Sequence, residues 1–287
     1  MDVYLPHTLA EALEQKAAHP DAISLAGGTD VMVEINFGRL RPAGIIDLAR
    51  IPELQAWHHE DGHVFLGAGV TYTRIVRELT DFVPLVQASR SVGSPQIRNR
   101  GTVGGNLGTA SPAGDALPVL AAYDADVVLR SRRGTRSLPW NTFLQGPKKT
   151  ALAPDELIVG TRWKVVNGPG SFSKIGTRNA MVIAVAGLCL QVDQDARQVR
   201  VALGSVGPTI LRATEAERFI AERLTWDDPS QPLTDEVVGE FAELVGRAAK
   251  PIDDVRGTAA YRVHGCTVLA GRALRWALDE RKAFKWL

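Results

Sequence analysis

At 287 residues the chain is long enough for two modest domains, and its 45% hydrophobic and 23% charged content is that of an ordinary globular protein. Lys plus Arg (33) nearly balance Asp plus Glu (32), so no chain-wide positive field exists to collect nucleic acid or an anionic membrane. No stretch approaches the roughly 18 apolar residues of a spanning helix, and Met1 to Pro6 has no basic region leading into an apolar run. These features predict a cytoplasmic protein that needs neither nucleic acid nor membrane.

In chain order, Thr8 and Glu11 have capping-box spacing ahead of Leu9, Leu13 and Ala17, which predicts a helix ended by His19 and Pro20. Ile23 to Ala26 reads as a short buried strand, broken at Gly27-Gly28 and followed by a helix over Asp30 to Phe37. A strand over Ile45 to Leu48 comes next. Leu54 to His59 and His63 to Leu66 then form a hairpin across Asp61-Gly62. Thr71 to Leu79 and Leu85 to Val92 have helical patterning. From Gly93 to Gly114 the glycine density, with Pro95 and Pro112, predicts one long structured loop of the kind that serves function.

Asp115 stands where a cap would start a helix through Tyr123. Val127 to Arg130 and Thr135 to Leu138 pair across Arg133-Gly134, and Glu156 to Val166 closes this half as a strand. Asn167-Gly168-Pro169-Gly170 is the clearest linker signal, and the domain boundary is expected there. Beyond it Phe172 to Ile175, Ile183 to Val192 and Val199 to Val206 read as strands. Helices follow over Ala213 to Arg223, Asp235 to Lys250, and about Thr258 to Lys285.

The chemistry concentrates in two double-glycine loops, Ala26 to Asp30 and Thr102 to Pro112. Neither fits a dinucleotide-binding Gly-x-Gly-x-x-Gly or a Walker loop. Paired glycines let several backbone N–H groups converge on a pyrophosphate, with Thr29, Asn106, Thr109 or Ser111 adding side-chain contacts; a plain turn is the competing reading of each. Cys189 and Cys266 are too few for an iron–sulfur cluster or a four-ligand zinc site and read as buried small hydrophobes. Arg130, Arg132, Arg133 and Arg136 make the densest basic run, either a solvated hairpin tip or a docking surface for an acidic partner.

Five ordered motifs, Ala26 to Asp30, Gly67 to Thr71, Ile97 to Asp115, Asp155 to Ile158 and Lys174 to Ala184, carry a resemblance over nearly the whole chain. The chain resembles the FAD-binding medium subunit of the molybdenum hydroxylases, the group that includes xanthine dehydrogenase and the aerobic carbon monoxide dehydrogenases. The resemblance implies an α+β fold: an FAD-binding domain over 1–166 in two subdomains, about 1–53 and 54–166, then a smaller C-terminal α+β domain over 171–287 with an antiparallel sheet and helices.

It also implies that Gly27, Gly28, Thr29, Gly104, Gly105 and Asn106 bind FAD. Leu25, Ala26, Asp30 and Val31 in and beside the first loop, and Gly101, Thr102, Gly108 and Thr109 in and beside the second, are expected to bind the cofactor with them. Asp115 matches an acid at the adenosine end, a role compatible with a helix cap. Leu157 and Ile158 match an apolar edge on the isoalloxazine, although simple strand core is an equal reading, and Lys174 matches a basic residue near the ring's polar edge. No catalytic residue and no metal ligand are expected in this chain. The family often has Asp a few residues after the last motif's Arg, whereas this chain reads Arg178-Asn179-Ala180-Met181-Val182-Ile183.

The implied partners are a subunit with two [2Fe–2S] clusters and a large molybdenum-cofactor subunit, with electrons leaving FAD for NAD or oxygen. The texture of Gly27 to Leu40, Pro42 and Asp47-Leu48 is similar to bacterial purine-oxidising members, which points to a purine such as xanthine. The alternative is a stand-alone flavoprotein oxidase of related fold. That reading needs a base over the ring, yet His7, His19, His58, His59, His63 and His264 all lie outside both loops.

Overall fold

The structure is a computed structural model that describes residues 1–283. Its elements begin with β1 (Asp2–Tyr4), α1 (Leu9–Ala18), β2 (Ile23–Leu25), α2 (Val31–Asn36) and β3 (Gly44–Asp47). Then come β4 (Trp57–Glu60), β5 (His63–Gly67), α3 (Tyr72–Glu78), α4 (Val83–Ser91), α5 (Pro95–Arg100), α6 (Val103–Thr109) and α7 (Ala116–Ala122). The middle of the chain gives β6 (Asp126–Ser131), β7 (Gly134–Pro139), α8 (Trp140–Phe143), β8 (Leu144–Gly146), β9 (Lys149–Thr150) and β10 (Leu157–Lys164). The last elements are β11 (Gly170–Ile175), β12 (Ala186–Asp193), β13 (Gln198–Gly204), β14 (Leu211–Arg212), α9 (Thr214–Ala221), α10 (Asp235–Ala248) and α11 (Ala259–Ala283). The expected end of α11 at Lys285 lies outside the described residues.

Chain contacts define two compact units. One comprises Met1–Glu78, Val92–Ser111 and Asp124–Lys164; the other comprises Leu79–Ser91, Pro112–Tyr123 and the described residues from Val165 on. The α+β class expected from the sequence is the one found.

In the first unit, β1, β3 and β2 form a parallel sheet, and β4-β5-β10-β6-β7 form an antiparallel one. Thr8 caps α1, its hydroxyl accepting from Glu11 N at 3.2 Å, while Glu11 accepts from His7 N at 2.8 Å. The buried face of α1 carries Leu9, Ala12 and Leu13, which share one core with Ile46 of β3, Leu54, and Leu157 and Val159 of β10. Lys16 is also buried on that face, its ammonium donating to Pro20 O (3.0 Å) and Ala22 O (2.6 Å) at the entry to β2. The β4–β5 hairpin turns through Asp61 (φ 49°) and Gly62 (φ 72°), a left-handed pair matching strand twist. Leu54 does not start that hairpin: Pro52–Gln55 is a 3-10 turn that drops Leu54 into the core.

The expected long loop over Gly93 to Gly114 is overturned, because it contains two short helices. Ser94 caps α5 with Pro95 at its first turn, Thr102 caps α6, and Ala110 ends α6 in the left-handed region at φ 47°. Glycine is a poor helix former, but the caps and the packing of α6 outweigh that cost here.

In the second unit β11-β12-β13-β14 form an antiparallel sheet. Every residue of β12 is buried. Leu188, Leu190 and Val192 pack with residues of α9, α10 and α11 in one core, so Cys189 points to the opposite face. That face receives α7, buried along its length. Gly204 makes the approach possible, since a Cβ there would lie 2.7 Å from Pro118 Cγ. The strand expected from Ile183 begins only at Ala186, leaving Ile183 in an exposed loop.

Candidate functional site

The two double-glycine loops are packed on one another within the first unit. A Cβ on Gly27 would lie 1.9 Å from Arg100 O and 2.5 Å from the Arg100 carbonyl carbon, so only glycine lets the first loop reach the end of α5. Gly28 follows at φ 78°. A second tie is Thr109, whose hydroxyl donates to Asp30 Oδ2 at 2.8 Å. Leu25, Ala26 and Thr29 are half-buried, and Val31 opens α2.

Backbone donors are distributed unequally between the loops. Among the described residues no protein acceptor takes the N–H groups of Gly27, Gly28 or Thr29, three successive donors of the kind that form an anion-binding nest. In the second loop Gly104 N donates to Ala68 O (3.0 Å), Gly105 N to the Thr102 hydroxyl (3.0 Å), and Asn106 N to Thr102 O (3.1 Å). The expectation that both loops offer converging N–H groups is therefore corrected for Gly104, Gly105 and Asn106, whose donors are already engaged by Ala68 and Thr102.

What the second loop offers is space and one acceptor. Gly104 lies on Ala68, where a Cβ would meet Ala68 Cβ at 2.5 Å, which explains the Gly67 to Thr71 motif as the floor beneath α6. By contrast, a Cβ on Gly105 would meet only the Thr102 hydroxyl, at 3.3 Å, and one on Gly108 only Ile158 Cδ1, at 3.6 Å. Asn106 Oδ1 is buried with no hydrogen-bond partner among the described residues. Leaving such an acceptor unmet costs about 1–3 kcal/mol, which a ligand donor would offset.

Leu157 and Ile158 separate, as successive strand residues must. Leu157 belongs to the core with Leu9 and Leu54, whereas Ile158 faces Gly108 of the second loop. The two residues therefore do not form the expected two-residue apolar edge, since only Ile158 is turned towards the second loop.

Asp115 and Lys174 lie in the second unit, where Lys174 Nζ is 2.6 Å from Asp115 Oδ2 and both side chains are less than a tenth exposed. Lys174 Nζ also donates to Ser91 O (3.0 Å), and the Ser91 hydroxyl lies 3.0 Å from the same Asp115 oxygen. Burial pushes the Asp115 carboxyl above the usual carboxylate range, while the Lys174 ammonium and Ser91 pull it down. Asp115 makes no side-chain cap on α7. The expected split of these residues between the adenosine end and the ring edge is corrected, since one ion pair holds both charges at one place. Ser91 had no signal in the sequence beyond its place at the end of a helix.

Arg178 donates to the carbonyl of Met181, from Nε at 3.1 Å and also from Nη2. Met181 is exposed and held at φ 50°. A backbone oxygen thus takes the guanidinium in this loop.

Residues 1–162 match the family model for the FAD binding domain in molybdopterin dehydrogenase, and residues 171–277 match that for the CO dehydrogenase flavoprotein C-terminal domain. The chain belongs to the FAD-binding subunits of the molybdenum hydroxylases, and FAD is its cofactor. It is 31% identical over 268 residues to a putative xanthine dehydrogenase FAD-binding subunit of Escherichia coli, covering 90% of this chain and 89% of that one. It is 37% identical over 210 residues to the nicotinate dehydrogenase FAD-subunit of Eubacterium barkeri, covering 67% and 69%. Among solved structures, carbon monoxide dehydrogenase from Hydrogenophaga pseudoflava superposes with a TM-score of 0.87 at 28% identity over 98% of both chains.

Proposed function

We propose that the chain holds FAD by its pyrophosphate on the N–H groups of Gly27, Gly28 and Thr29, with the second loop against the rest of the cofactor. The observation that carries this is the run of three unspent donors on a glycine loop that a Cβ would fill. Asn106 Oδ1 takes a hydroxyl or ring N–H of the ligand, Gly105 and Gly108 leave its approach open, and Ile158 supplies an apolar wall. Asp30, with its carboxylate held by Thr109, keeps the two loops in register. The Lys174–Asp115 pair positions β11 against the helix ends at Ser91 and Asp115.

When bound, FAD would supply the redox chemistry that links the [2Fe–2S] clusters of a partner subunit to NAD or oxygen. The organic substrate is oxidised in a molybdenum-bearing partner, and we read it as a purine such as xanthine. The similarity to a xanthine dehydrogenase subunit over 90% of the chain supports that reading. The domain boundary is placed in the linker Asn167 to Gly170.

The test has two arms. The purified chain should bind one FAD yet oxidise no purine, and adding the iron–sulfur and molybdenum subunits should restore substrate-driven flavin bleaching. Turnover of an organic substrate by the chain alone would establish the stand-alone oxidase instead.

A further inference from the structure

Helix α2 follows directly from the first loop, Met32 N donating to Gly28 O at 3.1 Å, and none of its residues is buried. Its inward side carries Val31 and Ile35, which are half-buried. Its outward side is an apolar stripe at helical spacing: Met32 is 40% exposed, Val33 45%, and Phe37, one turn after Val33, 69%. Three large apolar side chains left in water, Met32 and Val33 on one short helix and Phe37 at its C-terminal cap, mark a surface that something covers.

The charges around the stripe say what kind of surface that is. Arg39 stacks its guanidinium over the Phe37 ring at 5.0 Å. Arg39 and Arg41 are exposed, and neither has a carboxylate partner among the described residues. The nearby acids are already engaged: Glu34 pairs with Lys148 at 3.1 Å, and Asp30 accepts from Thr109. An apolar centre with an unneutralised arginine rim complements a partner whose own apolar patch is ringed by carboxylates.

We propose that the exposed face of α2, Met32, Val33 and Phe37 with Arg39 and Arg41, is the docking surface for the acidic protein subunit that delivers electrons to the flavin. This rests on the FAD reading of the first loop, because an electron donor must seat close to the cofactor and α2 is continuous with its cradle. The arginine rim steers the partner in and sets its register, and the stripe supplies the desolvated centre.

The test uses the full chain with its iron–sulfur and molybdenum subunits, comparing wild type with F37E and R39E/R41E. Both variants should keep their FAD and their melting temperature, since these side chains are exposed. F37E should weaken association with the iron–sulfur subunit on the order of tenfold or more. R39E/R41E should slow association at low salt and abolish its salt dependence. A benzoylphenylalanine placed at residue 37 should cross-link to the iron–sulfur subunit. Wild-type assembly by F37E would overturn the proposal. So would loss of FAD from F37E, cross-linking to the molybdenum subunit or to a second copy, or binding of the wild-type chain to anionic vesicles that F37E abolishes. Failure of the wild-type chain to bind FAD would instead sink the cofactor reading, a result distinct from all of these.

Discussion

Gly105→Ala separates a glycine required by the fold from one required by the cofactor. At Gly27 the two cannot be separated, because a Cβ 1.9 Å from Arg100 O must push the loops apart and lose fold and ligand together. At Gly105 the only atom in the way among the described residues is the Thr102 hydroxyl at 3.3 Å, which must give by a few tenths of an ångström. Alanine in a helix is otherwise favoured over glycine by about 0.5–1 kcal/mol. The unliganded variant should therefore melt at the wild-type temperature or a few degrees above it. A methyl forced against a bound cofactor costs about 1–3 kcal/mol, a loss of roughly 5- to 150-fold in affinity. Gly105→Val should leave a folded, colourless protein. Flavin-fluorescence titration and thermal melts of the unliganded chain give the two readouts. Unchanged FAD affinity in Gly105→Ala would refute the placement of the cofactor at this face, and a large drop in unliganded stability would show that the clash is internal.

Three further outcomes follow from the geometry. Asp115→Asn leaves the Lys174 ammonium buried against a neutral amide and should cost about 3–5 kcal/mol in urea melts, while Asp115→Asn with Lys174→Met recovers most of it; a single variant as stable as wild type would show that the pair is not held as described. Burial pushes the Cys266 thiol up to about 12 and Cys189 higher still, so near pH 8 neither should react with a thiol reagent until the chain unfolds; fast labelling of the native protein would contradict this. No His or Cys stands in Leu25 to Asp30 or Ser94 to Asp115, so acid precipitation should release all the yellow colour, and colour left in the pellet would indicate a covalent flavin.

The sequence by itself determined what is local. Thr8 with Glu11, the Asp61-Gly62 turn and the strand patterns around them fix their own neighbourhoods through caps, left-handed turn residues and alternation, and the structure keeps them. The ordered motifs likewise identified the family, because residue type and order survive without coordinates. Only the tertiary structure decided what each glycine is for. Gly104 and Gly105 are adjacent and chemically identical, yet one is pressed on Ala68 and the other meets only the Thr102 hydroxyl among the described residues, a difference set by the segment just after β5, far earlier in the chain. The same holds for the Gly93 to Gly114 stretch, where glycine content argues for a loop and long-range packing with two side-chain caps makes α5 and α6. Lys174 and Asp115, far apart in sequence and each readable as a ligand, proved to be partners. Charge pairing across a fold depends on distance in space, and no spacing along the chain encodes it.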